Sequence, residues 1–67
     1  MNKDYYYVCY LIAKRDGISL AEAIAAVDQF LDGVHELIDS GGSIQEIEDY
    51  LLDELGLEPD YLEYLLW

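Results

Sequence analysis

The chain has 67 residues, of which fifteen are Asp or Glu and three are Lys or Arg, for a formal charge of −12 at pH 7. That length supports one domain, spanning 1–67, and a chain this short buries only about 60% of the surface it exposes when unfolded, yet an apolar share of 54% excludes a disordered acidic tail. The bases Lys3, Lys14 and Arg15 all precede Asp16, so from Asp16 to Trp67 fourteen carboxylates face no Lys or Arg, which excludes nucleic acid and anionic membrane as direct partners.

The first segment runs from about Asp4 to Arg15. Within it Tyr5–Ala13 is an apolar run of nine residues, too short to span a bilayer. An acidic residue precedes the run and Tyr is frequent in it, which makes it a poor signal peptide. Cys9 is the single cysteine, so there is no internal disulfide, and the expectation is a cytoplasmic protein. A helical period places Tyr6, Cys9, Tyr10 and Ala13 on one face. The segment is apolar nearly all round, and its β-branched and aromatic residues suit a strand as well. A helix is the reading adopted, because no other part of the chain offers a strand to pair with.

The second segment carries clear helix signals. Ser19 with Glu22 forms a capping box, and Ile18 sits at the staple position before the cap. Leu20, Ile24, Val27, Leu31, Val34 and Ile38 follow at steps of 4, 3, 4, 3 and 4, one apolar stripe, with Ala23, Phe30 and Leu37 widening it on one side. Glu22, Asp28, Asp32, Glu36 and Asp39 lie toward the other side. Gly33 falls on the polar side, as a weak point costing about 1 kcal/mol against Ala. Gly41-Gly42 ends the helix.

The third segment restarts in the same way, with Ser43 and Glu46 as a second capping box and Ile44, Ile47, Leu51 and Leu55 as its stripe. Gly56 closes it, followed by Leu57 as an apolar contact. The fourth begins at Glu58-Pro59-Asp60, where Pro59 suits the first helical position, and continues through Leu62, Leu65 and Leu66 with Tyr61, Tyr64 and Trp67. Gly17–Glu22 and Gly41–Glu46 match at an offset of 24 residues, read as two good helix starts. The fold class is therefore all-α: a compact bundle of three to four short helices around Ile24, Val27, Leu31, Val34, Ile47, Leu51, Leu55 and Leu62.

Segments three and four have the outline of a helix-turn-helix. In a DNA reader the second helix carries Arg, Lys, Asn or Gln to bases and phosphates. Here it offers Glu58, Asp60, Glu63 and aromatic residues, so the outline stands with its charge reversed.

The carboxylates form rows. Asp28, Asp32, Glu36 and Asp39 lie on segment two, Glu46, Glu48, Asp49, Asp53 and Glu54 on segment three, and Glu58, Asp60 and Glu63 on segment four. None has a basic residue at i+4, and a surface built for solubility alone usually mixes signs. In its length, its acidity and these Asp and Glu positions the chain resembles the small acidic inhibitors of phages and mobile elements, the anti-restriction and anti-CRISPR proteins. The resemblance implies an inhibitor that occupies the nucleic-acid or target-recognition groove of a defence enzyme.

Residues for chemistry are sparse. His35 has Asp32 and Asp39 at helical spacing, a generic pattern for a metal, and is read as packing at the stripe boundary. Cys9 is read as a buried structural thiol. No catalytic, cofactor or metal residues are assigned, and the chain is read as a binding protein rather than an enzyme. Its candidate partner-binding residues are Asp28, Asp32, Glu36, Asp39, Glu46, Asp49, Asp53, Glu58, Asp60, Glu63, Tyr6 and Tyr10. The tyrosines enter because Tyr is enriched at interfaces, with Tyr5, Tyr6, Tyr7 and Tyr10 expected as one patch and Tyr61, Tyr64 and Trp67 as another. The leading expectation is docking on a basic, nucleic-acid-binding protein. The alternative is a helical scaffold or regulatory subunit working through an aromatic surface, including as a homodimer.

Overall fold

A computed structural model describes residues 3–66, the side chain of Lys3 excepted. They form four helices: α1 (Lys3–Asp16), α2 (Leu20–Asp39), α3 (Ile44–Leu55) and, after a 3-10 turn at Pro59–Tyr61, α4 (Leu62–Leu66). No strand occurs among the described residues. α2 packs against both α1 and α3, α4 returns to α1, and the 3-10 turn bridges α3 and α4. The result is a compact all-α bundle with a radius of gyration of 11.4 Å. None of its helices is long and apolar enough to cross a membrane.

Local chemistry sets the helix ends. The Ser19 hydroxyl accepts from the Glu22 N–H at 3.1 Å, and Ser43 accepts from the Glu46 N–H at 3.2 Å. Each bond satisfies a donor that a first helical turn leaves unpaired. In the first box the Glu22 carboxylate accepts from the Ser19 hydroxyl at 3.1 Å. Gly17 and Gly41 adopt φ of +67° and +85°, turning the chain out of α1 and α2. The Ile18 N–H then reaches the Ala13 carbonyl at 3.1 Å, and the Gly42 N–H reaches the Leu37 carbonyl at 2.7 Å. The sequence match at a 24-residue offset is thus one device used twice: a left-handed glycine ends one helix and a serine two residues later caps the next.

The core contains Val8, Cys9, Val27, Phe30, Val34 and Leu51, all fully buried, with Ile47, Leu55, Leu57 and Leu62 beside them. On α1 the four residues that the helical period grouped on one face, Tyr6, Cys9, Tyr10 and Ala13, are split between inside and outside. Tyr5, Val8, Cys9 and Ile12 are inside, whereas Tyr6 and Tyr10 are outside and Ala13 is half-buried. With apolar residues on every side, periodicity has no polar face to fix its phase. Hydroxyl groups decide instead. Val8, Cys9 and Ile12 carry no oxygen to satisfy, so they go inward, and Tyr5 joins them because its hydroxyl donates to the Asp28 carboxylate.

The stripe of α2 is also rotated from the expected line. Ala23, Val27, Phe30 and Val34 form its buried centre. Ile24 and Leu31, expected as central core, are half-buried on its flank. Leu20 and Ile38 are 47% and 54% exposed, because α2, at 20 residues, outruns α1 at 14 and α3 at 12. The rotation follows Phe30, which stacks on Tyr50 of α3 with ring centroids 5.1 Å apart. Gly33, expected on the polar side, is half-buried beneath that same Tyr50. His35, expected at the stripe boundary, is exposed.

Segment four is shorter as a helix than its sequence outline. Pro59 opens a 3-10 turn, and α4 proper has five residues. Tyr61 and Tyr64 are half-buried against the core, and Trp67 lies outside the described residues.

Candidate acidic docking surface

The same stripes that bury one face of α2 and α3 push the carboxylates outward. With α2 turned so that Val27 and Phe30 are inside, Asp32 and Asp39 fall on the opposite side with Glu36 beside them, and Asp28 lies on the flank next to α1. On α3, Ile47, Leu51 and Leu55 face in, so Glu46, Asp49 and Asp53 form an outward row. Glu58 precedes the 3-10 turn, Asp60 lies within it, and Glu63 lies on α4. Every one of these carboxylates is exposed. Glu48 differs from its neighbours in being half-buried.

The two bases whose side chains are described, Lys14 and Arg15, are held elsewhere. The Arg15 guanidinium donates to the carbonyls of Leu55 at 2.8 Å and Gly56 at 3.2 Å, and it pairs with Asp16 at 2.8 Å. It therefore caps the C-terminal end of α3 from the end of α1, and the hydrogen bond from Arg15 holds the Asp16 carboxyl below its usual range. Lys14 lies over the Tyr10 ring, 5.7 Å from its centroid. Neither base reaches the outer rows.

Several acidic groups sit where helix electrostatics disfavours them. Asp39 is in the last turn of α2, which contains no base. Asp53 and Glu54 are in the last turn of α3, where Arg15 is the compensating cation. A negative charge at a helix C-terminus is unfavourable by roughly 0.3–1 kcal/mol. The arrangement is not the one that stability alone would select.

Asp28 has a second task. The Tyr5 hydroxyl donates to it, linking α1 to α2. Burial first, and then the Asp28 carboxylate, hold the Tyr5 phenol above the ordinary tyrosine range. Burial also pushes the Cys9 thiol up, so the thiolate needed for nucleophilic chemistry is scarce at neutral pH. Asp32, His35 and Asp39 do not form a metal-holding group, nor does any other set of three His, Cys, Asp or Glu among the described residues.

Tyr6 and Tyr10 lie one turn apart on α1 and are 48% and 53% exposed. Tyr7 joins them outside, and its ring meets the edge of Tyr64 on α4 at 6.0 Å. Tyr5, expected in this patch, is buried. The exposed tyrosines and Lys14 thus share a part of the surface distinct from the outward rows of α2 and α3.

Arg15 as a helix cap, Tyr5 as the Asp28 donor and Tyr50 over Gly33 were not expected from sequence. Each depends on residues far apart in the chain, and no local spacing encodes such pairs. Comparison of the chain with protein-family models, with curated proteins and with solved structures finds no match.

Proposed function

We propose that this chain is a binding protein, not an enzyme, and that it inhibits a basic, nucleic-acid-binding protein by docking its acidic faces where nucleic acid would lie. The observation that carries this reading is the outward placement of Asp32, Glu36, Asp39, Glu46, Asp49, Asp53, Glu58, Asp60 and Glu63, all exposed on consecutive elements, with no Lys or Arg from Asp16 onward. Carboxylates four residues apart on a helix are spaced roughly 6 Å along its axis. Duplex DNA carries about one charge per 1.7 Å, so rows on three adjacent elements together approach that density. The reading agrees with the resemblance to anti-restriction and anti-CRISPR inhibitors.

Affinity capture from cell extract at low salt, with stepwise salt elution, tests it. Basic nucleic-acid-binding proteins should be retained and then released as the Debye length shrinks from about 10 Å at 0.1 M to about 3 Å at 1 M. Retention of neutral or acidic proteins that withstand high salt contradicts it.

A second reading rests on Tyr6, Tyr7 and Tyr10, which are 48%, 50% and 53% exposed on α1. Large amphipathic rings left in water at this density suit an interface. In that reading the chain is a scaffold or regulatory subunit, or a homodimer joined through α1. Sedimentation across concentration, with Tyr6→Ala and Tyr10→Ala compared, separates it from the first: association insensitive to salt and lost in both variants favours the aromatic surface.

A further inference from the structure

A groove of about 690 Å³ lies where the start of α1, the first half of α3 and the Pro59–Tyr64 segment meet. Its apolar members are Ile44, Pro59, Leu62 and Tyr64. Ile44 is 52% exposed there, an isoleucine that the fold itself leaves uncovered. Around this floor stand the carboxylates of Asp4, Glu48, Asp60 and Glu63, contributed by α1, α3, the 3-10 turn and α4. They do not converge as metal ligands do. Their charge is spread around an apolar surface rather than focused at a point.

We propose that this groove seats an arginine-bearing segment of the basic partner. The proposal rests on the acidic-docking reading above and names where and by what chemistry the contact is made. Charge complementarity identifies the occupant. An apolar floor ringed by carboxylates fits a cation on a long aliphatic stem, with the stem covering Ile44 and Pro59 while the charged end reaches the rim. A guanidinium suits the rim better than an ammonium. It is planar and weakly hydrated, it offers five donors to oxygens on separate side chains, and it can lie against the Tyr64 ring. Asp4 and Glu48 are the half-buried rim members, and a carboxylate partly withdrawn from water gains more from a paired cation than a fully solvated one such as Asp60 or Glu63. The groove is larger than one side chain fills, so a short stretch of peptide enters rather than a free ion.

The test uses the full chain and a blocked peptide of Arg, Leu and Ala, with the same peptide carrying citrulline for Arg and with spermine as comparison probes. Backbone amide shifts should move at Ile44, Glu48, Asp60, Glu63 and Tyr64 with the arginine peptide. The citrulline peptide, which keeps the shape and loses the charge, should leave them unmoved. Changing Glu48→Gln, Asp60→Asn and Glu63→Gln together should weaken the arginine peptide roughly ten-fold at physiological ionic strength, while an unchanged far-ultraviolet circular dichroism spectrum shows the fold intact. Equal binding by the citrulline peptide overturns the proposal, as does spermine giving the same footprint and displacing the peptide. Shifts confined to the outward rows around Asp32 and Asp49 overturn the groove but leave acidic docking standing. Failure of the arginine peptide to bind anywhere at low salt overturns both.

Discussion

The Tyr50 ring of α3 lies directly on the backbone of Gly33 in α2, where a Cβ would stand 2.6 Å from Tyr50 Cζ and 2.8 Å from its Cε2. The ring is also stacked on Phe30 at an interplanar angle of 22°, so it cannot move off without losing that contact. An aromatic pair of this kind contributes about 0.5–1.5 kcal/mol beyond its buried area. Gly33 therefore sets how closely α2 and α3 approach.

Gly33→Ala should destabilise the protein, by up to about 2 kcal/mol. The overpacking, about 1–3 kcal/mol, outweighs the gain in helix propensity, about 1 kcal/mol. In a Tyr50→Leu background, which removes the ring's outer atoms, the same change should become stabilising. Urea midpoints for the four proteins of this cycle check the sign reversal. A stabilising Gly33→Ala in the otherwise unaltered chain would show that the ring does not hold its place.

Arg15→Gln should lower stability by about 1–2 kcal/mol, because the Leu55 and Gly56 carbonyls lose a charged donor at the end of α3. Asp16→Asn should cost much less, since it leaves those two bonds in place. Amide hydrogen exchange should locate the Arg15→Gln effect in the last turn of α3. Uniform loss across α1 and α3 contradicts a capping role.

Alkaline stability follows from Tyr5 and Cys9. Both have folded pKa values raised above their ordinary ones, so the folded state binds more protons than the unfolded state at high pH. Their contribution is complete below the unfolded values, about 8.5 for Cys and about 10 for Tyr, and is lost as pH climbs above them toward the folded values. Stability should thus fall from about pH 8.5 upward. Tyr5→Phe should flatten the part of the curve above about pH 10. A Tyr5→Phe curve with the same slope there shows that Tyr5 ionises freely in the folded protein.

What was legible in the sequence was local. Ser19 and Ser43 with their glutamates, and the glycines two residues before each serine, mark helix boundaries because each acts on the backbone within a few residues. The exposure of Asp32, Asp39, Asp49 and Asp53 followed from the stripes opposite them. The phase of α1 was not legible, since Tyr6 and Tyr10 alternate with equally apolar neighbours and only the partner for the Tyr5 hydroxyl, 23 residues away, settles which tyrosine goes inside. The Ile44, Glu48, Asp60 and Glu63 groove was invisible for the same reason: it exists only once α3 and α4 are placed against α1.

Salt should act in opposite directions on folding and on docking. A formal charge of −12 repels itself, so added salt should raise the urea midpoint of the isolated chain. Partner association should slow over the same range. The mutational counterpart is Asp32→Asn, Glu36→Gln and Asp39→Asn together, and separately Glu46→Gln, Asp49→Asn and Asp53→Asn. Each set should slow association with little effect on stability. Asp28 is left out because it accepts from Tyr5, so Asp28→Asn would confound docking with folding. Unchanged association rates in both sets contradict docking through these rows.

Competition between this chain and nucleic acid for the captured partner tests the central claim most directly. With labelled DNA or RNA bound to the partner, added chain should displace the label to completion, and the apparent affinity of the chain should fall in proportion to nucleic-acid concentration once that exceeds its own dissociation constant. A stable ternary complex, with label retained at saturating chain, would contradict occupation of the nucleic-acid site.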